Sequence, residues 1–164
     1  MILVLCVDDL TIGTSAYKSA FGESGYALRS NLTSGHVAMY WDMKSPIGKQ
    51  TVHGVEIPPF MKVDEDLFVT AHGNKMMIGN EGSDDDTYNI EAAKLAVALS
   101  NNVLPSGYSG DIYLSACKSY YFGISFKRYL INARPKYKGK VHGYKGQPSS
   151  SIDVLDQKPY KEVP

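Results

Sequence analysis

Two apolar runs of strand length, residues 66–73 and 110–117, stand out in the pattern of hydrophobic and polar positions along the chain. Each run ends in a small residue followed by a chemically reactive one, His72 in the first and Cys117 in the second. Parallel strands present their carboxyl ends at one edge of a sheet, where ligands bind. We therefore expect the imidazole and the thiol to meet at that edge.

The remaining strand signals surround these two runs. Residues 2–7 are continuously apolar, which is typical of a central parallel strand that is covered on both faces. Residues 36–43 and 50–57 are β-prone and predict a hairpin or one interrupted strand. Residues 75–78 predict a short strand, and residues 140–144 predict the last strand.

Two segments have a near-helical apolar period. The first runs from Tyr88 to about Asn101, and the second follows Cys117 and ends before Pro135. The positions expected on the apolar faces are Ile90, Ala92, Ala93, Ala96, Val97 and Leu99 in the first helix and Phe122, Phe126, Tyr129, Leu130 and Ala133 in the second. Strands alternating with helices predict an α/β fold with an open, mostly parallel sheet.

Length and composition fit one domain. A chain of 164 residues, 43% hydrophobic, is long enough for one buried core and short for two. We assign residues 1–146 to this domain. Residues 147–164 are rich in Ser, Pro and charge, which predicts a polar C-terminal tail that is loosely ordered or wrapped over the surface.

Charge and cysteine usage exclude several classes. With 17 basic and 17 acidic residues the formal net charge is zero, so we expect no binding to nucleic acid or to an anionic membrane. The apolar start lacks a basic leader and becomes acidic at Asp8, which disfavours a signal peptide or a membrane span. Cys6 and Cys117 are too few for a disulfide framework. The expected location is cytoplasmic, or a target cell entered without a Sec signal.

The pairing of a thiol with an imidazole has a chemical rationale. A thiol with a pKa of roughly 8.5 is only a few per cent thiolate at neutral pH, and a neighbouring histidine raises that fraction or accepts the proton. We also expect Cys117 to lie at the amino end of a helix, where the macrodipole and free backbone N–H groups favour a thiolate and could cradle an oxyanion.

The residues around His72 and Cys117 carry a family resemblance. The blocks Val69–Gly73 and Tyr113–Ser119, one ending in His-Gly and the other containing Ala-Cys, resemble the caspase-like (clan CD) cysteine peptidases. That group includes gingipains, separases, metacaspases and toxin autoprocessing domains. The sequence motif Leu-Ser-Ala-Cys is most similar to that of the bacterial caspase-like branch called CHAT. The caspase signature itself is not met, because Ser115 replaces its Gln and Ser119 its final Gly.

The resemblance implies a fold, an activity and roles for residues. It implies a single caspase-like open sheet with helices on both faces, and a cysteine endopeptidase that needs no cofactor and no metal. Cys117 would be the nucleophile and His72 its base and acid partner, with the N–H groups of Gly73 and Cys117 forming the oxyanion hole. The expected partners are a protein or peptide substrate and an activating or inhibitory protein, in a bacterial effector or toxin-associated protease.

The resemblance also implies a specificity pocket. In relatives it is built from the end of the first strand, the residue two before the Cys and the strand after the Cys helix, which here correspond to Asp8 and Asp9, Ser115 and residues 141–144. A carboxylate in the pocket would favour Arg or Lys before the cut. An apolar pocket is the alternative, since Ser115 supplies no second acid.

The other cysteine, the other histidines and several acidic residues are poorer candidates for the site. Cys6 is expected early in the first strand, away from the active edge, while His36, His53 and His142 are expected to be structural. Asp66 and Asp111 open their strands, roughly 20 Å from the active edge at about 3.3 Å per residue, and are excluded as orienting acids. The acids Glu81, Asp84, Asp85 and Asp86 lack the spacing of a calcium loop and instead favour the start of a helix.

Two other functions remain open from the sequence. An inert caspase-like domain could use the same crevice to bind proteins without cleaving them. A doubly wound domain of flavodoxin type could carry the histidine and the cysteine incidentally. Nucleotide binding is disfavoured, because residues 8–13 contain neither of the glycine-rich phosphate-binding patterns.

Overall fold

The computed structural model describes residues 2–6, 38–42, 51–52, 55–56, 61–79, 89–147 and 157–164. In these ranges the strands are β1 (Ile2–Cys6), β2 (Ala38–Asp42), β3 (Thr51–Val52), β4 (Val55–Glu56), β5 (Leu67–Thr70), β6 (His72–Gly73), β7 (Met77–Gly79), β8 (Asn89–Glu91), β9 (Ile112–Ser115), β10 (Val141–Gly143) and β11 (Lys161–Glu162). The helices are α1 (Ala92–Asn102) and α2 (Ser119–Ala133).

Six of these strands form the main sheet, in the order β11-β10-β9-β5-β1-β2. Every neighbouring pair is parallel except β10 with β11, which is antiparallel. The predicted α/β fold with a mostly parallel sheet is therefore confirmed. Counted along the chain, the parallel strands follow the order 2-1-3-4-5, which doubly wound sheets of flavodoxin type also use.

The register brings the carboxyl ends of the central strands to one edge. Thr70 at the end of β5 is paired with Val4 of β1 on one side and with Ser115 at the end of β9 on the other. Residues that follow these positions therefore leave the sheet side by side. This shared carboxyl edge is where an open α/β sheet binds ligands.

One face of the sheet is covered by both helices and holds the main core. Alternate residues of β5, β9 and β10 point to this helix face: Leu67, Val69, Ile112, Leu114 and Val141. The buried side chains Leu95 and Leu99 of α1 and Phe122, Phe126 and Leu130 of α2 pack against them. Burying side chains of this size stabilises the fold by about 1.5–3 kcal/mol each. The helices expected on the opposite face would fall outside the described residues.

The opposite face is aromatic and also buried. Phe68 stacks on Tyr113 at 4.7 Å between ring centroids, and Tyr113 stacks on His142 at 4.5 Å. Tyr160 meets the ring of Tyr113 edge-on. Burial, with smaller effects of the charges on Asp66 and Asp111, raises the pKa of Tyr113 to about 12. The phenol is therefore neutral at physiological pH, as a buried ring requires.

The first helix differs from its prediction. It begins at Ala92 rather than near Tyr88, because residues 89–91 pair with β7 as a strand. No acidic residue lies in its first turn, and the acids at 81–86, which were expected to favour its positive end, lie outside the described residues. Val97, Tyr129 and Ala133, predicted on apolar faces, are exposed. The apolar period therefore located both helices but assigned some exposed positions to their buried faces.

The C-terminal residues belong to the sheet. Residues 161–162 form β11 along the outer side of β10, and Val163 is fully buried beside Gly123 of α2. Its backbone N–H donates to Val141 and its carbonyl accepts from the Lys127 ammonium. The expectation of a loosely ordered tail is therefore wrong for residues 157–164, whose polar composition conceals the buried Tyr160 and Val163.

Candidate functional site

The geometry of the candidate site starts from the paired ends of β5 and β9. Thr70 and Ser115 are register partners, and the Ala71 N–H donates to the Ser115 carbonyl at 3.2 Å. His72 lies two residues beyond Thr70, and Cys117 lies two residues beyond Ser115. The chain thus delivers both residues to the same edge from adjacent parallel strands, as the sequence predicts.

His72 then enters a second, smaller sheet. β6, β7 and β8 form an antiparallel meander in which His72 is paired with Gly79. Gly73 sits tightly against the cysteine segment: a Cβ placed on it would lie 3.0 Å from the Ala116 Cβ and 2.9 Å from Ile78 Cγ2. Only small residues fit at 73 and 116, and this close contact holds the histidine segment against the cysteine segment.

A sharp turn connects the thiol to α2. Cys117 is half-buried. Lys118, the next residue, has φ 55° and ψ 21°, the left-handed conformation that costs a side-chain-bearing residue about 1–2 kcal/mol. Its N–H donates to the Gly146 carbonyl at 2.7 Å. Contacts with the segment after β10 therefore support a strained turn directly beside Cys117.

The backbone donors at the start of α2 are used within the protein. The N–H groups of Lys118, Ser119, Tyr120 and Tyr121 donate to the carbonyls of Gly146, Ala116, Tyr144 and Lys118, in that order. The expectation that free helix N–H groups could cradle an oxyanion is therefore wrong for these four. The macrodipole at the helix start still favours a negative charge on the thiol.

Ser119 joins the cysteine turn to two strands of the main sheet. Its side chain is fully buried, and its hydroxyl donates to the Leu114 carbonyl at 2.6 Å. The same oxygen accepts the Tyr144 N–H at 3.0 Å. At the sequence level Ser119 was only a departure from the caspase signature. In the structure its hydroxyl fixes where α2 starts relative to β9 and to the end of β10.

Replacing Ser119 with alanine should destabilise the protein by about 1–3 kcal/mol, because a buried carbonyl and a buried N–H both lose their partner. Urea denaturation measures the free energy of unfolding. Ser125→Ala, at an exposed position of the same helix, is the matched control and should change stability by less than about 0.5 kcal/mol. Equal losses in the two variants would show that the hydroxyl of Ser119 has no special role.

Cys6 lies closer to the candidate site than its sequence position suggested. It is the last residue of β1, and Val4, two residues earlier, is paired with Thr70. Cys6 therefore lies at the carboxyl end of β1, which corrects its assignment to the early part of the strand. Any test of the thiol must separate Cys117 from Cys6.

The predicted specificity residues are described only in part. Ser115 is buried at the carboxyl edge of β9, whereas Asp8 and Asp9 lie outside the described residues. Beside Ser115, the Thr70 hydroxyl is buried and has no hydrogen-bond partner among the described residues. Nothing in the sequence distinguishes Thr70, since threonine is common in strands.

Asp66 and Asp111 have structural roles at the opposite edge. Asp66 accepts the Asp111 N–H, and Asp111 accepts the Lys140 N–H and contacts His142 Nε2 at 3.0 Å. These contacts tie the amino ends of β5, β9 and β10 together. They agree with the exclusion of both acids from catalysis and with a structural role for His142.

A row of charged and aromatic side chains crosses the start of α2. The Lys75 ammonium lies 4.9 Å from the ring centre of Tyr121, and the Lys145 ammonium lies 4.9 Å from that of Tyr120. The two tyrosine rings meet edge-on at 5.6 Å. We call Lys75, Tyr121, Tyr120 and Lys145 the lysine–tyrosine row. Nothing in the sequence indicated it, because its members come from three separate segments.

Comparison of the chain with protein-family models, curated proteins and solved structures gives no match. Among the described residues, no three His, Cys, Asp or Glu side chains are grouped to hold a metal ion. The acids at 81–86 lie outside those residues. Neither described helix is long and apolar enough to cross a membrane.

Proposed function

We propose that this protein is a cysteine endopeptidase of caspase-like type in which Cys117 and His72 form the catalytic dyad. The observation that carries the proposal is the pairing of Thr70 with Ser115, because each reactive residue follows its paired position by two residues at the carboxyl edge. The close packing of Gly73 on Ala116 supports it from the other side of the site.

The first half of the proposed reaction is acylation. His72 accepts the thiol proton of Cys117, and the Sγ thiolate forms a bond to the carbonyl carbon of the scissile peptide. The N–H groups of Gly73 and Cys117 donate to the oxyanion of the tetrahedral intermediate. The intermediate collapses by breaking the C–N bond, and the leaving amine receives its proton from the His72 imidazolium.

Deacylation completes the cycle. Water loses a proton to His72 as its oxygen attacks the thioester carbonyl, and the C–S bond then breaks. The His72 imidazolium returns its proton to the departing sulfur, which restores the Cys117 thiol, and the acid product loses its proton to the solvent as the new carboxylate. No metal or cofactor takes part in these steps, since a thiolate and an imidazole supply the nucleophile and the proton transfers.

For specificity, we propose that Asp8, Asp9 and Ser115 line the pocket for the residue before the cut. Ser115 lies at the carboxyl edge next to Thr70, and Asp8 follows Cys6 by two residues in the sequence. A carboxylate there would select Arg or Lys. The reaction would take place inside a cell on a protein or peptide substrate, as expected of an effector or toxin-associated protease under the control of a protein partner.

The proposed function is tested by covalent labelling with peptide electrophiles such as acyloxymethyl ketones. Peptide mass spectrometry of the labelled protein compares Cys117 with Cys6 in the same sample. We expect labelling at Cys117 at least tenfold faster than at Cys6, and abolished by excess unmodified peptide. Equal or preferential labelling of Cys6 would reject Cys117 as the nucleophile.

An inert protein-binding domain is the competing function. It predicts slow labelling of both cysteines, close to the rate of a thiol in an unfolded peptide, together with peptide binding that survives Cys117→Ala. The labelling rate relative to that reference therefore separates the two functions.

A further inference from the structure

The lysine–tyrosine row lies beside the candidate active site. Lys75 is two residues after Gly73, in the turn between β6 and β7, and Tyr120 follows Cys117 by three residues. Asn74 fixes that turn, because its side-chain oxygen accepts the N–H groups of Met76 and Met77 at 2.7 and 3.0 Å. Three of its four members, Lys75, Tyr120 and Tyr121, thus belong to the two segments that carry His72 and Cys117, and Lys145 comes from the segment after β10.

The three described segments around the site carry only positive side-chain charges. Segments 72–79, 115–121 and 143–147 contain the lysines Lys75, Lys118 and Lys145 and no Asp or Glu. All three are exposed, and no carboxylate of the described residues pairs with them. The chain as a whole carries no net charge, so the positive charge of these three segments is a local excess.

The tyrosines hold two of these charges in fixed positions. An ammonium over an aromatic face is attracted by about 0.5–1 kcal/mol at an exposed site, which restricts a flexible lysine side chain. Tyr121 and Tyr120 thereby place Lys75 and Lys145 at the two ends of one row along the first turn of α2. A ligand at the carboxyl edge would therefore meet the ammonium groups of Lys75 and Lys145, which precede and follow Cys117 in the sequence.

We propose that the lysine–tyrosine row, together with Lys118, makes this site select acidic peptides. The inference rests on the proposed function for the position of the peptide, and it adds the charge of the substrate near the cut. Carboxylates of a bound peptide would replace water around the three ammonium groups, and complementary rim charges raise the association rate of peptides with acidic residues on either side of the residue in the specificity pocket. A nucleic acid is the weaker match, because the row spans only one helical turn and the chain carries no net charge.

The test measures binding of two fluorescein-labelled peptide pools by fluorescence anisotropy. Both pools have a random central residue, flanked on each side by three Glu in one pool and by three Gln in the other. The protein carries Cys117→Ala, so that binding is read without cleavage. We expect the Glu pool to bind about tenfold more tightly at low salt, with the difference shrinking as salt rises.

A triple variant assigns the preference to the row. Lys75→Gln, Lys118→Gln and Lys145→Gln together should reduce the ratio of Glu-pool to Gln-pool affinity to about one. The matched control changes three exposed lysines elsewhere, Lys62, Lys94 and Lys138, to Gln and should keep the tenfold ratio. Thermal unfolding of both triple variants checks that each is folded.

The inference fails if the two pools bind equally, or if the control triple variant lowers the ratio as much as the row variant. It also fails if a single-stranded oligonucleotide of equal charge binds as tightly as the Glu pool, which would indicate an unspecific anion patch. Labelling of Cys117 is measured separately. A preference for the Glu pool without labelling of Cys117 would reject the peptidase function and support binding of acidic peptides. Labelling of Cys117 without this preference would support the peptidase function and reject the selection of acidic peptides.

Discussion

Replacing Cys117 with alanine should lower peptide cleavage on the order of 10³-fold or more while leaving the fold intact. The substitution removes the only atom proposed to bond to the substrate, so no weaker version of the same reaction remains. His72→Ala should cost roughly 10²–10⁴-fold, the usual share of a general acid and base. Cleavage of a peptide library, followed by mass spectrometry, gives both losses and the residues flanking each cut.

The matched control is Cys6→Ala, which removes a thiol at the same sheet edge and should leave cleavage within about twofold of the unmodified protein. Circular dichroism and the melting temperature verify that all three variants are folded. Full activity in Cys117→Ala would reject the proposed function. Activity lost in Cys6→Ala and retained in Cys117→Ala would move the nucleophile to β1.

Much of the described fold follows from local signals in the sequence. Continuous apolar runs locate β1, β5 and β9, because a strand covered on both faces has no polar alternation. Phe122, Phe126 and Leu130 recur with helical period and are buried as predicted. The shared edge for His72 and Cys117 then follows from parallel pairing, which the register of Thr70 with Ser115 confirms.

What could not be predicted depends on contacts between distant segments. The role of Ser119 requires Tyr144 beside it, and the position of Lys75 requires Tyr121. The start of α1 was displaced because residues 89–91 find a partner in β7, and pairing overrides helical period. Ser119 is one of two departures from the caspase signature, and the structure supplies a physical reason for this serine, whose hydroxyl links Leu114 and Tyr144.

Gly143→Ala should disturb the site from a distance, through the backbone of α2. A Cβ at residue 143 would lie 2.6 Å from the Tyr120 nitrogen and 2.7–2.8 Å from the Ser119 carbonyl atoms. Backbone atoms cannot move aside as a flexible side chain can, so the first turn of α2 must shift. We expect a loss of about 2–3 kcal/mol in stability and about 10²-fold in cleavage, since Cys117 lies two residues before this turn and a shift near 1 Å misplaces a nucleophile.

Gly146→Ala is the matched control three residues further along. A Cβ at residue 146 would meet no atom within 4 Å, so stability should change by less than about 0.5 kcal/mol and cleavage by less than about twofold. Urea denaturation and cleavage kinetics are measured for both variants, with the cleavage assay run well below the melting temperature of Gly143→Ala. A folded Gly143→Ala protein with unchanged cleavage would show that the start of α2 does not position the reactive thiol, and it would count against Cys117 as the nucleophile.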